Sequence, residues 1–207
     1  VSKITNQNHN LETTLRIAIE NFQVKDPSEM SWKSKCSFNT EKKTFMVPFM
    51  RKDFCVSYPS GEIDFCNNSE EVPIIWKILM LHYLVRATGT PLTGNSISYK
   101  ELPGGDIYFN PFKKRTILPF LKIFGTNPRK LLEITESIGG VVSNMGDYSV
   151  TINVLPRIPI TYVLWEGDDE FPPNATVLFD ETAKEYLHTE DFAFVASLTV
   201  YEMAKMF

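Results

Sequence analysis

The chain has 207 residues, 43% of them hydrophobic and 22% charged, which excludes low-complexity disorder and collagen-like repetition. Its net charge of −4 and the brevity of its basic run, Lys113-Lys114-Arg115, give no footprint for nucleic acid. The most apolar run, Ile74–Val85, is interrupted by Lys77 and His82 and is too short to cross a bilayer. Val1–Asn10 is polar and lacks a secretory apolar region, so a soluble cytoplasmic protein with no membrane partner is expected. The chain opens on Val1, and a processed or trimmed start is expected.

Leu11–Phe22 carries apolar residues at 11, 15, 18, 19 and 22, which predicts an amphipathic helix with Asn10 as its N-cap. Thr44–Pro48, Phe54–Tyr58 and Glu62–Phe65 read as strands, the last two joined by the turn Tyr58-Pro59-Ser60-Gly61, and together they predict a small antiparallel meander. A second helix is predicted from Ser69, with Glu70 and Glu71 in its first turn, to Thr88, closed by Gly89. Its apolar positions encircle most of the axis, which assigns it to the interior.

Gly94–Asp106 contains Pro103-Gly104-Gly105 and cannot form one regular element. Pro111–Phe124 predicts a helix broken or kinked at Pro119, and Asn127-Pro128 caps another through Ile138, closed by Gly139-Gly140. Tyr148–Leu155, Ile160–Trp165 and Ala175–Phe179 predict strands, the last two forming a hairpin around the acidic loop Glu166–Asn174. Asp180 is expected to cap Glu181–Leu187, and Thr189 a final helix from Glu190 to Met206. The resulting expectation is one α+β domain over 1–207: an antiparallel sheet with packed helices, an N-terminal β-meander and a C-terminal hairpin plus helix. Residues 1–68 can stand within it as a subdomain.

Cys36, Cys55 and Cys66 are too few and too scattered for a disulfide framework, so free thiols in a reducing compartment are expected. There is no iron–sulfur cluster motif in the chain.

Three stretches carry a family resemblance: Leu81-His82-Tyr83-Leu84 leading into PLTGNSISYKELPGGDIYFNPF (91–112), GDYSVTINVLPRIPITYVLWEGDDEFPPNATVLFD (146–180) and YLHTEDFAFVASL (186–198). Over about residues 69–207 the chain resembles the bacterial and archaeal family known as domain of unknown function 3786. Members of that family sometimes follow a four-cysteine module similar to that of corrinoid iron–sulfur proteins. The resemblance therefore implies a cofactor-related role in anaerobic metabolism, with a corrinoid or related tetrapyrrole as ligand and an iron–sulfur or methyl-transfer protein as partner.

His82 lies on the most apolar helix, with Ile75, Ile78, Leu79 and Val85 at helical spacing. Its imidazole is open to three readings: a hydrogen-bonded core histidine, an axial ligand to the metal of a tetrapyrrole, or a proton-transfer group. Arg157, stiffly held between Pro156 and Pro159, is placed either to grip a ligand anion or to lock the acidic loop, with Arg115 and Lys100 as further candidates of that kind. The glycine-rich loop Leu92–Gly105 is either a structural turn or a ligand contact that includes Tyr99. With Tyr83 and Trp165 added, the candidate cofactor-binding set is His82, Tyr83, Tyr99, Arg157 and Trp165.

Glu166, Asp168 and Glu170 are the candidate metal ligands, with Asp169 and Asp180 nearby, and the other reading is solvated hairpin acids. Trp165 and Phe171 bracket them and are expected to anchor both loop ends in the core. No nucleophile signature is present. The leading expectation is a cofactor-binding protein. The alternatives are a metal-dependent enzyme using the loop 166–170 and a ligand-free interaction module.

Overall fold

The computed structural model describes residues 2–206, with side chains from Asn10 onward. The chain divides into two compact units, one running to Thr90 and taking in Glu185–Leu187, the other comprising Pro91–Lys184 and the residues from His188.

In the first unit α1 (Ser2–Gln23) contains the predicted helix but begins well before it. Asn10 is thus helical, and its carbonyl accepts from the Thr14 hydroxyl at 2.9 Å. The short α2 (Pro27–Ser34) was not predicted from apolar periodicity. Its signal is Asp26-Pro27, where the Asp26 carboxylate accepts from the Glu29 amide at 2.7 Å and Pro27 fits the first turn.

The meander is present: β1 (Ser37–Asn39), β2 (Thr44–Phe49), β3 (Lys52–Ser57) and β4 (Ile63–Phe65) pair antiparallel in sequential order. Period-two alternation turns Phe45, Val47, Phe49, Phe54 and Val56 inward, all fully buried. Onto them pack Phe22 of α1, 5.8 Å from Phe45, and Trp76, 5.4 Å from Phe49.

Trp76 belongs to α3 (Ile74–Arg86). This helix starts later than predicted, and Glu70 and Glu71 lie outside it, because the residue before a proline is disfavoured in helical backbone. Val72 therefore stays outside the helix and Pro73 becomes the N-cap, its carbonyl accepting from Trp76 and Lys77. The interior assignment holds for Trp76, Ile78–Leu81, Tyr83 and Leu84.

Cys55 and Cys66 form a disulfide, which corrects the expectation of free thiols for this pair. The antiparallel return of β4 beside β3 brings the two Cα atoms to 5.3 Å, within bridging range. Cys36 is a free, buried thiol, and burial pushes it up to about 12.

The second unit is built on a five-stranded antiparallel sheet of β5 (Ser96–Ser98), β6 (Gly140–Val142), β7 (Tyr148–Leu155), β8 (Ile158–Trp165) and β9 (Asn174–Asp180) in the order β5-β9-β8-β7-β6. Alternation placed β7 at its observed bounds, the apolar runs expected as β8 and β9 extend by two residues at the start of β8 and by one at each end of β9, and the short β5 and β6 flank them. Helices accompany the sheet, among them α4 (Gly105–Phe112), a π-helical turn at Lys113–Ile117, α5 (Leu118–Phe124), α6 (Arg129–Ile134) and α7 (Thr189–Ala204).

The predicted break at Pro119 takes the form of that π turn. A proline cannot donate to the residue four positions back, and the widened turn immediately before it absorbs the mismatch. The helix after Asn127 ends at Ile134 rather than Ile138. The helix expected after Asp180 is only a 3-10 turn at Ala183–Glu185.

The N-cap of α7 is His188, not Thr189. His188 N–H donates to the Asp191 carboxylate at 3.2 Å, and the Thr189 hydroxyl instead donates to the Pro103 carbonyl at 2.7 Å. The core gathers Phe120 beside Tyr162 and Phe179 beside Phe192. The class is α+β, and among the described residues no helix is long and apolar enough to cross a membrane.

Candidate ligand-binding cleft

A cleft of about 330 Å³ opens in the second unit between the segment after β5 and the first turns of α7. Its floor is Tyr99, which ends the β5 segment and enters a 3-10 turn. Ser98 and Glu101 fix that turn reciprocally, the Ser98 amide donating to the Glu101 carboxylate at 2.7 Å. The exposed Glu101 carboxyl is held below the usual range by this bond.

Tyr99 is fully buried, its ring stacked on Phe112 at 4.0 Å and its hydroxyl donating to the Thr189 carbonyl at 3.1 Å. Burial, then the charges of Glu190 and Tyr108, push its phenol up to about 12 against the pull of Arg115. It is therefore a neutral hydrogen-bonded wall at neutral pH.

Gly104 and Gly105 allow α4 to start directly over this floor. Gly104 has φ +73°, and a Cβ on Gly105 would collide with the Tyr99 carbonyl oxygen. From α4 come Tyr108, Pro111 and Phe112. The π turn then presents Arg115, whose guanidinium lies 5.7 Å over the Phe194 ring. The same turn keeps the Thr116 hydroxyl buried without a hydrogen-bond partner among the described residues, a local cost of about 1–3 kcal/mol. Glu190, Ala193 and Phe194 of α7 close the opposite side. The result is an aromatic-walled concavity with one cation and one carboxylate at its mouth, on a base of regular structure.

The family model for "Domain of unknown function (DUF3786)" matches residues 26–202. The chain belongs to this family. The match begins at Asp26, the cap of α2, so the family region takes in the meander as well as the stretches that carry the resemblance in sequence. No curated protein and no solved structure matches the chain.

The sequence-predicted residues of this DUF3786 chain do not converge on one place. His82 and Tyr83 belong to the first unit. His82 is half-buried, as are Ile75 and Val85, rather than sunk in the core. Tyr83 is fully buried, and its hydroxyl donates to the Ser34 carbonyl at 2.7 Å. Tyr99 is the floor of the cleft. Arg157 is half-buried in the two-residue turn Pro156-Arg157 that joins β7 to β8. Lys100 sits 4.5 Å over the Phe109 ring.

Trp165 and Glu166 share an open depression of about 550 Å³ with Phe171, Pro172, Pro173 and Asn174. Trp165 is 38% and Phe171 67% exposed, which corrects the expectation that they anchor the loop in the core. The loop is held by its own polar groups instead. The Asp168 carboxylate accepts from the Phe171 and Glu170 amides at 2.7 and 2.9 Å, in that order the causes that lower its pKa, and Asp147 accepts from the Glu166 amide at 2.9 Å.

Among the described residues no three His, Cys, Asp or Glu side chains stand where they could share a metal ion, Glu166, Asp168 and Glu170 included. Arg115 is a secondary candidate in the sequence, and Glu190 enters there only as the start of the last predicted helix. The signal that joins them is topological, the packing of the α4–π segment beside the start of α7.

Proposed function

We propose that this protein binds a small organic cofactor or metabolite, and that the cleft over Tyr99 is its binding site. The observation that carries this reading is the construction of the cleft. Its aromatic wall is rigid, with Tyr99 locked by stacking and by its hydroxyl bond, while Tyr108 stays 46% exposed at the mouth. Such a surface offers a flat ligand contact area at low ordering cost.

The test is a ligand-observed NMR screen of small aromatic and anionic compounds against the wild-type chain and Ala193→Trp, which fills the cleft from α7. Compounds that bind the wild type and are lost in the variant support the reading. An empty screen, or binding unchanged in the variant, overturns it.

A corrinoid ligated by His82 is the finer reading, resting on the family resemblance and on the half-buried imidazole of α3. It belongs to the first unit and is tested apart from the cleft. Aquocobalamin titrated into the protein should change its absorption spectrum, and His82→Ala should abolish the change; a spectrum unchanged with the wild type, or a change that survives in the variant, removes His82 as ligand.

A further inference from the structure

Arg115 and Glu190 are the two charged side chains of the cleft, both exposed at its mouth and both close enough to Tyr99 to act on its hydroxyl electrostatically. Among the described residues neither is engaged in a salt bridge or a side-chain hydrogen bond; Arg115 touches only the face of Phe194. A guanidinium over a ring face still has N–H groups with which to meet a carboxylate by two bonds. Glu190 sits in the first turn of α7 and offers acceptors only. Tyr108, Phe112 and Phe194 line the same cleft. A ligand with a single charge would satisfy one of these groups and leave the other solvated and idle.

We propose that the cleft selects a zwitterion on a flat apolar body, chemically an aromatic α-amino acid or a close relative, with its carboxylate on Arg115, its ammonium on Glu190 and its ring against Tyr108. This rests on the cleft being the binding site. The Phe112 face turned to Tyr99 is already occupied by stacking, so the ligand ring takes the exposed Tyr108 side.

The experiment is calorimetric titration with three probes that share one ring: L-tryptophan, tryptamine and indole-3-propionate. L-Tryptophan should bind tightest. Arg115→Gln should weaken L-tryptophan and indole-3-propionate by about tenfold while sparing tryptamine, and Glu190→Gln should weaken L-tryptophan and tryptamine by about tenfold while sparing indole-3-propionate. Both substitutions are at exposed positions, and unchanged circular dichroism and melting confirm the fold. Equal affinity for all three probes, lost together in Ala193→Trp, overturns the zwitterion assignment and leaves the cleft reading standing. Binding of the probes that survives in Ala193→Trp overturns both. Absence of binding by all three overturns the ligand class.

Discussion

The Gly94 amide donates to the Asp180 carboxylate at 2.7 Å, tying the loop ahead of β5 to the end of β9. The same carboxylate accepts from the Thr182 hydroxyl at 2.6 Å, the Thr182 amide at 3.0 Å and, more loosely, Thr93. Asp180 was expected as a helix cap; it acts as a clamp that holds the approach to β5, and so to the cleft floor.

Asp180→Asn should destabilise the protein by about 2 kcal/mol, because a neutral amide replaces a carboxylate that is buried and bonded on several sides. Burial alone would raise this carboxyl, but the bonds from Thr182, Gly94 and Thr93 together outweigh it and hold it below the usual value. A depressed folded-state pKa adds stability above the unfolded-state value, and that stability is lost as pH falls through the folded-state value. Urea melts should therefore show the gap between wild type and variant at neutral pH and its closure in acid. A gap independent of pH would contradict the clamp.

The Cys55–Cys66 bridge closes a short loop, with a sequence separation of 11, and reduction should cost roughly 3 kcal/mol. Thiol counting gives a direct check. A thiol-reactive dye should label nothing in the native protein, Cys36 alone after denaturation, and all three cysteines after denaturation and reduction.

Tyr83→Phe should cost about 1 kcal/mol through the lost bond to the Ser34 carbonyl, which it leaves buried and short of a donor. Ligand binding at the cleft should be unaffected. A variant as stable as wild type in thermal melts would show that this hydroxyl contributes nothing to the fold.

The neighbouring glycines at the start of α4 should respond unequally. Gly104→Ala meets open space and pays only for its positive φ, about 1 kcal/mol. Gly105→Ala drives a methyl into the Tyr99 backbone and should cost about 3 kcal/mol. Chemical denaturation of the two variants ranks them, and the reverse order would refute the close approach.

Periodicity made the long elements legible. Strict alternation placed β7 at its observed bounds, and the meander followed from runs such as Thr44–Pro48 between turn residues. Three-residue strands such as β1 and β6 hold too few positions to show a period, and they exist because a longer neighbour offers them hydrogen bonds. The disulfide was illegible for a related reason: the spacing of Cys55 and Cys66 means little until β4 returns beside β3. His82 looked buried because its neighbours are apolar, yet a helix that is apolar nearly all round need not bury every side, and the imidazole lies at the half-exposed one. Of the cleft, Tyr99 was marked by its glycine-rich surroundings. Glu190 lies far along the chain from Arg115, and only the packing of α7 brings them to one opening.

The π turn at Lys113–Ile117 also sets how this segment can change over time. By carrying one residue more than an α-helical turn, it rotates everything after it by about 100° relative to a continuous α-helix. Phe120 and Phe124 are fully buried in that shifted phase, while Arg115 within the turn is exposed. Deleting one residue there would straighten the helix and swing both phenylalanines toward water. The length of this stretch is thus under tighter constraint than its composition, and descendants should exchange its side chains far more freely than they shorten it.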